Sequence, residues 1–157
     1  MSPLLMTPVE FIAAVGPAAR ASMATTRIPA SFTVAQAALE SSWGKSQLAV
    51  QARNLFGVKA SAGWAGDILT MDTREFIKGR WVVVPARWRK YPDWLACIDD
   101  HAQFLLKNPR YKPAFACHEA ESFVRAVAAA GYATDPQYAN KIIAVIRGRN
   151  LTALDKQ

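Results

Sequence analysis

One acid, Glu40, sits near the end of an otherwise apolar, helix-forming stretch from Phe32 to Gly44, FTVAQAALESSWG. Helical spacing makes Gln36 its i−4 neighbour, Ala37 its i−3 neighbour and Trp43 its i+3 neighbour. Phe32, Ala35 and Leu39 share one stripe, with Ala38 beside it. The carboxyl group is therefore expected at the edge of a buried face, next to an indole. Partial burial disfavours the charged form and raises the pKa. A carboxylic acid that keeps its proton near neutral pH is what a general acid needs. Spacing alone leaves a second reading open, in which Glu40 is a solvated residue on a polar helix face.

Cleavage of a glycosidic bond is one reaction that uses such an acid, and it usually needs a second carboxyl group to activate water or to stabilise the positive, sugar-like transition state. The candidates downstream are Asp67, Asp72 and Glu75. Strand alternation puts Thr73, Glu75 and Ile77 on one face and Asp72, Arg74 and Phe76 on the other. Periodicity does not choose between them.

The elements that must position these groups can be read in order. Thr7-Pro8-Val9-Glu10 is a helix start, with threonine as cap, proline in the first turn and glutamate reaching back. The helix that follows is expected to bend or end early at Gly16-Pro17. Arg27-Ile28-Pro29 breaks the pattern, and the Glu40 helix follows, closed by Gly44. Ser46 to Ala52 reads as a short helix. From Asn54 to about Tyr91 the text turns β-like: ILTMDTREFI and RWVVVPARW flank Lys78-Gly79, the signature of a hairpin turn, with Pro85 marking an edge or a bulge. Helices resume at Pro92–Lys107, stop at Asn108-Pro109, and return at Glu121–Ala130, with Gly131 as C-cap. Asp135-Pro136 is expected to start the last helix, which carries Ile142, Ile143 and Ile146. The tail from Leu151 is expected to fray. The fold class expected is α+β, mainly helical: a helical body with a small β-hairpin lobe and a cleft between them.

The 157 residues suit one domain, residues 1–157, which can bury roughly two thirds of its unfolded surface. Lys and Arg exceed Asp and Glu by seven. That surplus suits anionic partners, whether nucleic acid, headgroups or anionic envelope polymers. The cations are scattered and no nucleic-acid signature accompanies them, so no nucleic-acid partner is expected. Cys97 and Cys117 lack metal-ligand spacing, and His101 and His118 do not complete a cluster, so no metal and no cofactor is expected; the cysteines read as two buried thiols, with a single disulfide as the alternative. The start, MSPLLMTPVEF, lacks a basic region and has its apolar run broken by Pro3 and Pro8, so it does not read as a secretory signal.

The wording around these residues is more specific than their spacing. AQAALESSWGKS, NLFGVKA, TREFIKGR and GYATDPQYANKI, in that order, resemble the glucosaminidase domain family of peptidoglycan hydrolases, which includes the hydrolase domain of the flagellar rod-assembly protein. The likeness runs from about Thr7 to Asn150. It implies a lysozyme-like fold and an endo-β-N-acetylglucosaminidase acting on peptidoglycan glycan strands, with N-acetylmuramidase specificity or a non-catalytic wall-binding module as alternatives. It implies Glu40 as the catalytic acid, Glu75 as second carboxylate and Tyr132 as a phenol in the catalytic cleft. Asn54, Phe56, Trp64 and Tyr91 fall on positions implied to line the substrate groove, Trp43 is expected to pack under the Glu40 helix and tune its carboxyl group, and Tyr138 reads as core. Segment 76–90 departs from the family text, being richer in tryptophan and arginine. A compact domain of this kind resembles a phage endolysin, a monomer made in the host cytoplasm and acting on the wall, with an exported wall-remodelling enzyme or an injected effector as alternatives.

Overall fold

The computed structural model describes residues 5–156; the part of the N-terminal reading that falls on residues 1–4 lies outside them. Six α-helices and one antiparallel hairpin make up the architecture: α1 (Pro8–Thr26), α2 (Ala30–Ser41), α3 (Gln47–Ala52), β1 (Asp67–Ile77), β2 (Arg80–Lys90), α4 (Trp94–Lys107), α5 (Ala120–Ala129) and α6 (Tyr138–Gly148). A 3-10 helix, Pro109–Ala116, joins α4 to α5, and another, Leu151–Asp155, follows α6. The fold is mainly helical, as expected.

The core is built around α2. Every residue from Ala30 to Ala38 is buried, because α1, α5, α6 and the C-terminal 3-10 helix all pack against it. The expected one-sided stripe is thus replaced by burial all round, which small side chains allow. Leu39, placed on that stripe by its spacing, is exposed beside Glu40. The surrounding helices bring Phe11, Ile98, Phe123, Ile142 and Ile146, each no more than 1 % exposed.

Local chemistry accounts for most boundaries. At the start of α1 the Thr7 side chain accepts from Glu10 N at 3.2 Å while Glu10 Oε1 accepts from Thr7 N at 3.0 Å, a complete capping box. Pro17 lies inside α1 without ending it. Gly16 before it has no Cβ to clash with the proline ring, which removes part of the usual penalty. The last helix starts at Tyr138, later than Asp135-Pro136, because Asp135 Oδ1 is engaged in a turn, accepting from Gln137 N at 2.8 Å.

The tail does not fray. Leu151 is 2 % exposed, and Asp155 accepts from Ser31 N at 2.8 Å and from Ser31 Oγ at 2.5 Å. The physical reason lies at the other end of the contact. The N-cap position of α2 is Pro29, which has no side-chain acceptor, so the first turn of the central helix needs a carboxylate from elsewhere.

In the hairpin, β1 and β2 pair one-to-one from Asp67↔Lys90 to Ile77↔Arg80, without a bulge. The two-residue turn has Lys78 at φ 52° and Gly79 at φ 77°, the left-handed pair that matches strand twist. Pro85 sits opposite Asp72; in a two-stranded ribbon both strands are edges, so its missing N–H is tolerated. The base of the ribbon is anchored by Ala60 N donating to Arg87 O and Arg89 N donating to Val58 O. Its tip, with Phe76, Trp81 and Val83, is exposed. Both cysteines are free: Cys97 is buried and Cys117 half-buried. Among the described residues no helix is long and apolar enough to cross a membrane.

Candidate active site

A groove of about 390 Å³ opens where the C-terminal end of α2, the loop after α3, the base of β2, the middle of α4 and the loop after α5 converge. Glu40, Phe56, Arg89, Asp100, His101 and Tyr132 are among its walls. A larger cavity, about 850 Å³, lies at the opposite end of α2 beside Arg20 and Arg27; it contains no acid of the Glu40 kind and its only carboxylate, Asp155, is held by Ser31. Chemistry, rather than size, singles out the groove.

Glu40 is exposed as a residue, so a substrate can reach it, yet protein atoms crowd its carboxyl end. Desolvation raises its pKa above the ordinary value; the Tyr138 hydroxyl, donating to Oε1 from 3.2 Å, opposes part of that rise. Glu40 has no ion-pair partner among the described residues.

Behind Glu40 runs a buried polar chain. Gln36, fully buried, donates from Nε2 to the Tyr138 oxygen at 2.9 Å, and its Oε1 faces His101 Nε2 at 2.9 Å. A carbonyl oxygen accepts only, so the histidine carries its proton on Nε2 and donates. Burial holds the His101 pKa down at about 4, so the ring is neutral at pH 7. The Tyr132 oxygen lies 3.3 Å from the same Nε2. With that nitrogen already protonated, the Tyr132 hydroxyl proton is free to point into the groove. Burial pushes the pKa of both Tyr132 and Tyr138 well above the ordinary phenol range, so both remain donors. The sequence reading placed Tyr138 in the core. Its ring is there, 6 % exposed and stacked on Tyr132 at 5.5 Å, but its hydroxyl reaches the acid. Gln36 was visible only as the i−4 neighbour of Glu40; His101 carried no signal, since its partner is 65 residues away.

Trp43 is not the neighbour of Glu40. The chain leaves the helix at Ser42, and Trp43 itself has φ 59°, which turns its ring towards Phe11, edge-on at 5.8 Å, and under the Arg149 guanidinium. The i+3 relation fails because the helix has already ended.

Phe56 lines the groove and stacks on His101 at 3.9 Å. Trp64 and Tyr91 line an adjoining cavity whose wall also includes Asp100. Tyr91 donates to Asp100 Oδ2 at 2.6 Å, and Arg89 Nη1 pairs with the same oxygen at 2.7 Å. Asp100 is thus a carboxylate in the groove wall that periodicity did not pick out, and Arg89 neutralises it. Asn54 makes no groove contact. It is 1 % exposed, donates to Val58 O and Arg89 O and accepts from Val58 N, so its side chain ties the loop to β2. Glu75 pairs with Lys59 at 2.8 Å on the exposed part of the ribbon and is not in the groove wall.

The sequence matches the glucosaminidase family model, described as mannosyl-glycoprotein endo-β-N-acetylglucosaminidase, over residues 16–151. The chain belongs to the glucosaminidase family. It is 40 % identical to the exo-glucosaminidase LytG of Bacillus subtilis over 80 % of this chain and 46 % of that protein. To the peptidoglycan hydrolase FlgJ of Salmonella typhimurium it is 36 % identical, over 93 % of this chain and 48 % of that one. It therefore spans about half the length of these relatives. Among solved structures, the catalytic domain of the autolysin Auto from Listeria monocytogenes superposes with a TM-score of 0.87 at 30 % identity, covering 99 % of this chain and 91 % of that one. The truncated glycoside hydrolase domain of Salmonella typhimurium FlgJ gives 0.80 at 35 % identity, covering 92 % and 98 %. These neighbours are lysozyme-like glycoside hydrolase domains, and the family member described here shares their helical body and hairpin.

Proposed function

We propose that this chain, as one domain and a monomer, hydrolyses the glycan strand of peptidoglycan at the N-acetylglucosaminyl bond to N-acetylmuramic acid, with Glu40 as general acid. One observation carries the reading: a solvent-reachable carboxyl group of raised pKa, with no ion pair among the described residues, in a groove with a phenol hydroxyl available beside it. Glu40 donates its proton to the leaving oxygen. The Tyr132 hydroxyl orients the substrate's acetamido group or meets charge developing on the sugar. Phe56 offers an aromatic edge, while Trp64 and Tyr91 extend the surface along the strand.

The second carboxylate is the finer point. Glu75 serves only if the ribbon swings over the groove when substrate binds, releasing Lys59. In the conformation described it pairs with Lys59 and is not part of the groove wall, and we therefore expect Glu75→Gln to lower kcat by less than about tenfold, against the two to four orders expected of a group in proton transfer. That outcome favours participation by the acetamido group; a loss as large as that of Glu40→Gln would restore the two-carboxylate scheme.

Tyr138 supplies a pH signature. Its donated hydrogen bond lowers the Glu40 pKa, so Tyr138→Phe should raise it and keep the acid protonated to higher pH. The alkaline limb of the kcat/KM profile is expected to move to higher pH. Gln36 Nε2 loses its acceptor in the same variant, which should cost about 1–3 kcal/mol in a denaturant melt.

Digestion of purified peptidoglycan, reduction of the products and mass spectrometry test the main reading. Reduced N-acetylglucosamine at the new ends supports it, reduced muramic acid indicates muramidase specificity, and no release indicates a wall-binding module. A lytic, endolysin-like role is the finer proposal, supported by the net charge of +7 facing an anionic envelope. Turbidity of cells with a permeabilised envelope should fall on adding the protein.

A further inference from the structure

We propose that Arg110 reads a carboxylate on the muramic acid residues of the strand, and so sets the preference for an anionic glycan over a neutral one. The inference rests on the hydrolase reading above and assigns a specificity group within the same groove. Two arginines stand in the groove wall. Arg89 is spent: Nη1 pairs with Asp100, Nε donates to Lys59 O, and the guanidinium covers Trp64 at 4.6 Å. Arg110 is exposed and, among the described residues, has no carboxylate within ion-pair distance.

It is nevertheless held in place. Its guanidinium lies over the Tyr111 ring at 5.0 Å, and Tyr111 is itself buried. A Cβ placed on Gly131 would lie at ordinary van der Waals distance, 4.0 Å, from the Arg110 Nη1. Gly131 has φ 88° and directly precedes Tyr132, and Arg110 and Tyr132 line the same groove, so the positive charge shares it with the phenol proposed to meet the substrate. A planar cation stacked on a phenol, with its donors unused, suits bidentate pairing with a carboxylate.

Polymers of N-acetylglucosamine alone are neutral. Peptidoglycan carries carboxylates at each muramic acid, either on the stem peptide or, where the peptide has been removed, on the lactyl ether. Arg110 therefore distinguishes the two polymers by charge rather than by sugar shape.

The test compares kcat/KM on intact strands and on the same strands with their carboxylates converted to methylamides. For the wild type, neutralisation is expected to lower kcat/KM about five- to tenfold, the scale of one charge-assisted contact. For Arg110→Gln the ratio of the two substrates should fall to near one, and Arg110→Lys should restore part of it. Arg20→Gln, which removes the same charge from the far end of α2, should keep the wild-type ratio and so separates a local contact from general attraction of an anionic polymer. Strands stripped of peptide by an amidase expose the lactyl carboxylate instead: a retained dependence on Arg110 shows that this group also serves, a lost one that the stem peptide carboxylate is the one read. An unchanged ratio in Arg110→Gln would overturn the inference while leaving hydrolysis intact; absence of cleavage by the wild type would instead remove the hydrolase reading beneath it.

Discussion

Glu40→Gln is expected to lower kcat by about two to four orders of magnitude while the protein stays as stable as the wild type, or becomes more so, at pH 7. The two halves of that result separate catalysis from folding. The amide has the shape of the acid and can still accept from the Tyr138 hydroxyl, but it has no proton to give to a leaving oxygen. Stability moves the other way because of the sign of the pKa shift. Glu40 binds its proton more tightly in the folded protein than in the unfolded chain. Its favourable contribution is therefore complete below the unfolded carboxyl pKa and is lost as pH rises through the higher folded value. Above that raised pKa the folded state holds a partly desolvated carboxylate, and a neutral amide relieves that. Turnover and denaturant melts on one preparation would check both. A variant that is stable and retains a tenth or more of wild-type turnover would sink the general-acid assignment. For the wild type, turnover should persist to higher pH than an ordinary glutamic acid allows, then fall tenfold per pH unit.

The second large effect is structural. Gln36→Leu should cost about 2–4 kcal/mol, since it takes a hydrogen-bond partner from both a buried phenol and a buried neutral imidazole. Gln36 hydrogen-bonds to both Tyr138 and His101, with no accessible surface of its own. A leucine fills the volume but neither accepts from His101 Nε2 nor donates to Tyr138. At about 2–4 °C per kcal/mol for a chain of this length, the melting temperature should fall by roughly 5–15 °C. Activity should fall as well, because the Tyr138 hydroxyl is no longer held towards Glu40. The comparison with Gln36→Glu is informative: it keeps an acceptor for His101 but buries a second acid in the same network, and should be no better tolerated. A Gln36→Leu melt within 1 °C of the wild type would show that these buried hydrogen bonds contribute little.

Much of this molecule is written locally. The capping box at Thr7 and Glu10, the Lys78-Gly79 turn and the alternation of the two strands each depend on residues only a few positions apart, so their physics is complete within the segment. The Glu40 and Tyr132 segments were likewise legible, as text characteristic of one family. What the sequence left open depends on contacts across the chain. Leu39 shares its helical stripe with core residues and is nevertheless exposed, because the end of α2 faces the groove rather than a packing partner. Trp43, three residues after Glu40, lies beyond a helix that ends at Ser41. Tyr138 lies 98 residues from Glu40, and Asp155 caps a helix that begins more than a hundred residues earlier. The sequence by itself determined the Glu40 helix, the hairpin and the family, and singled out Glu40 as the candidate acid. Only the tertiary structure decided what surrounds the acid, namely Tyr138, Gln36 and His101 behind it and Asp100, Arg89 and Arg110 in the wall, because desolvation and hydrogen bonding are set by neighbours in space, which spacing along the chain does not encode.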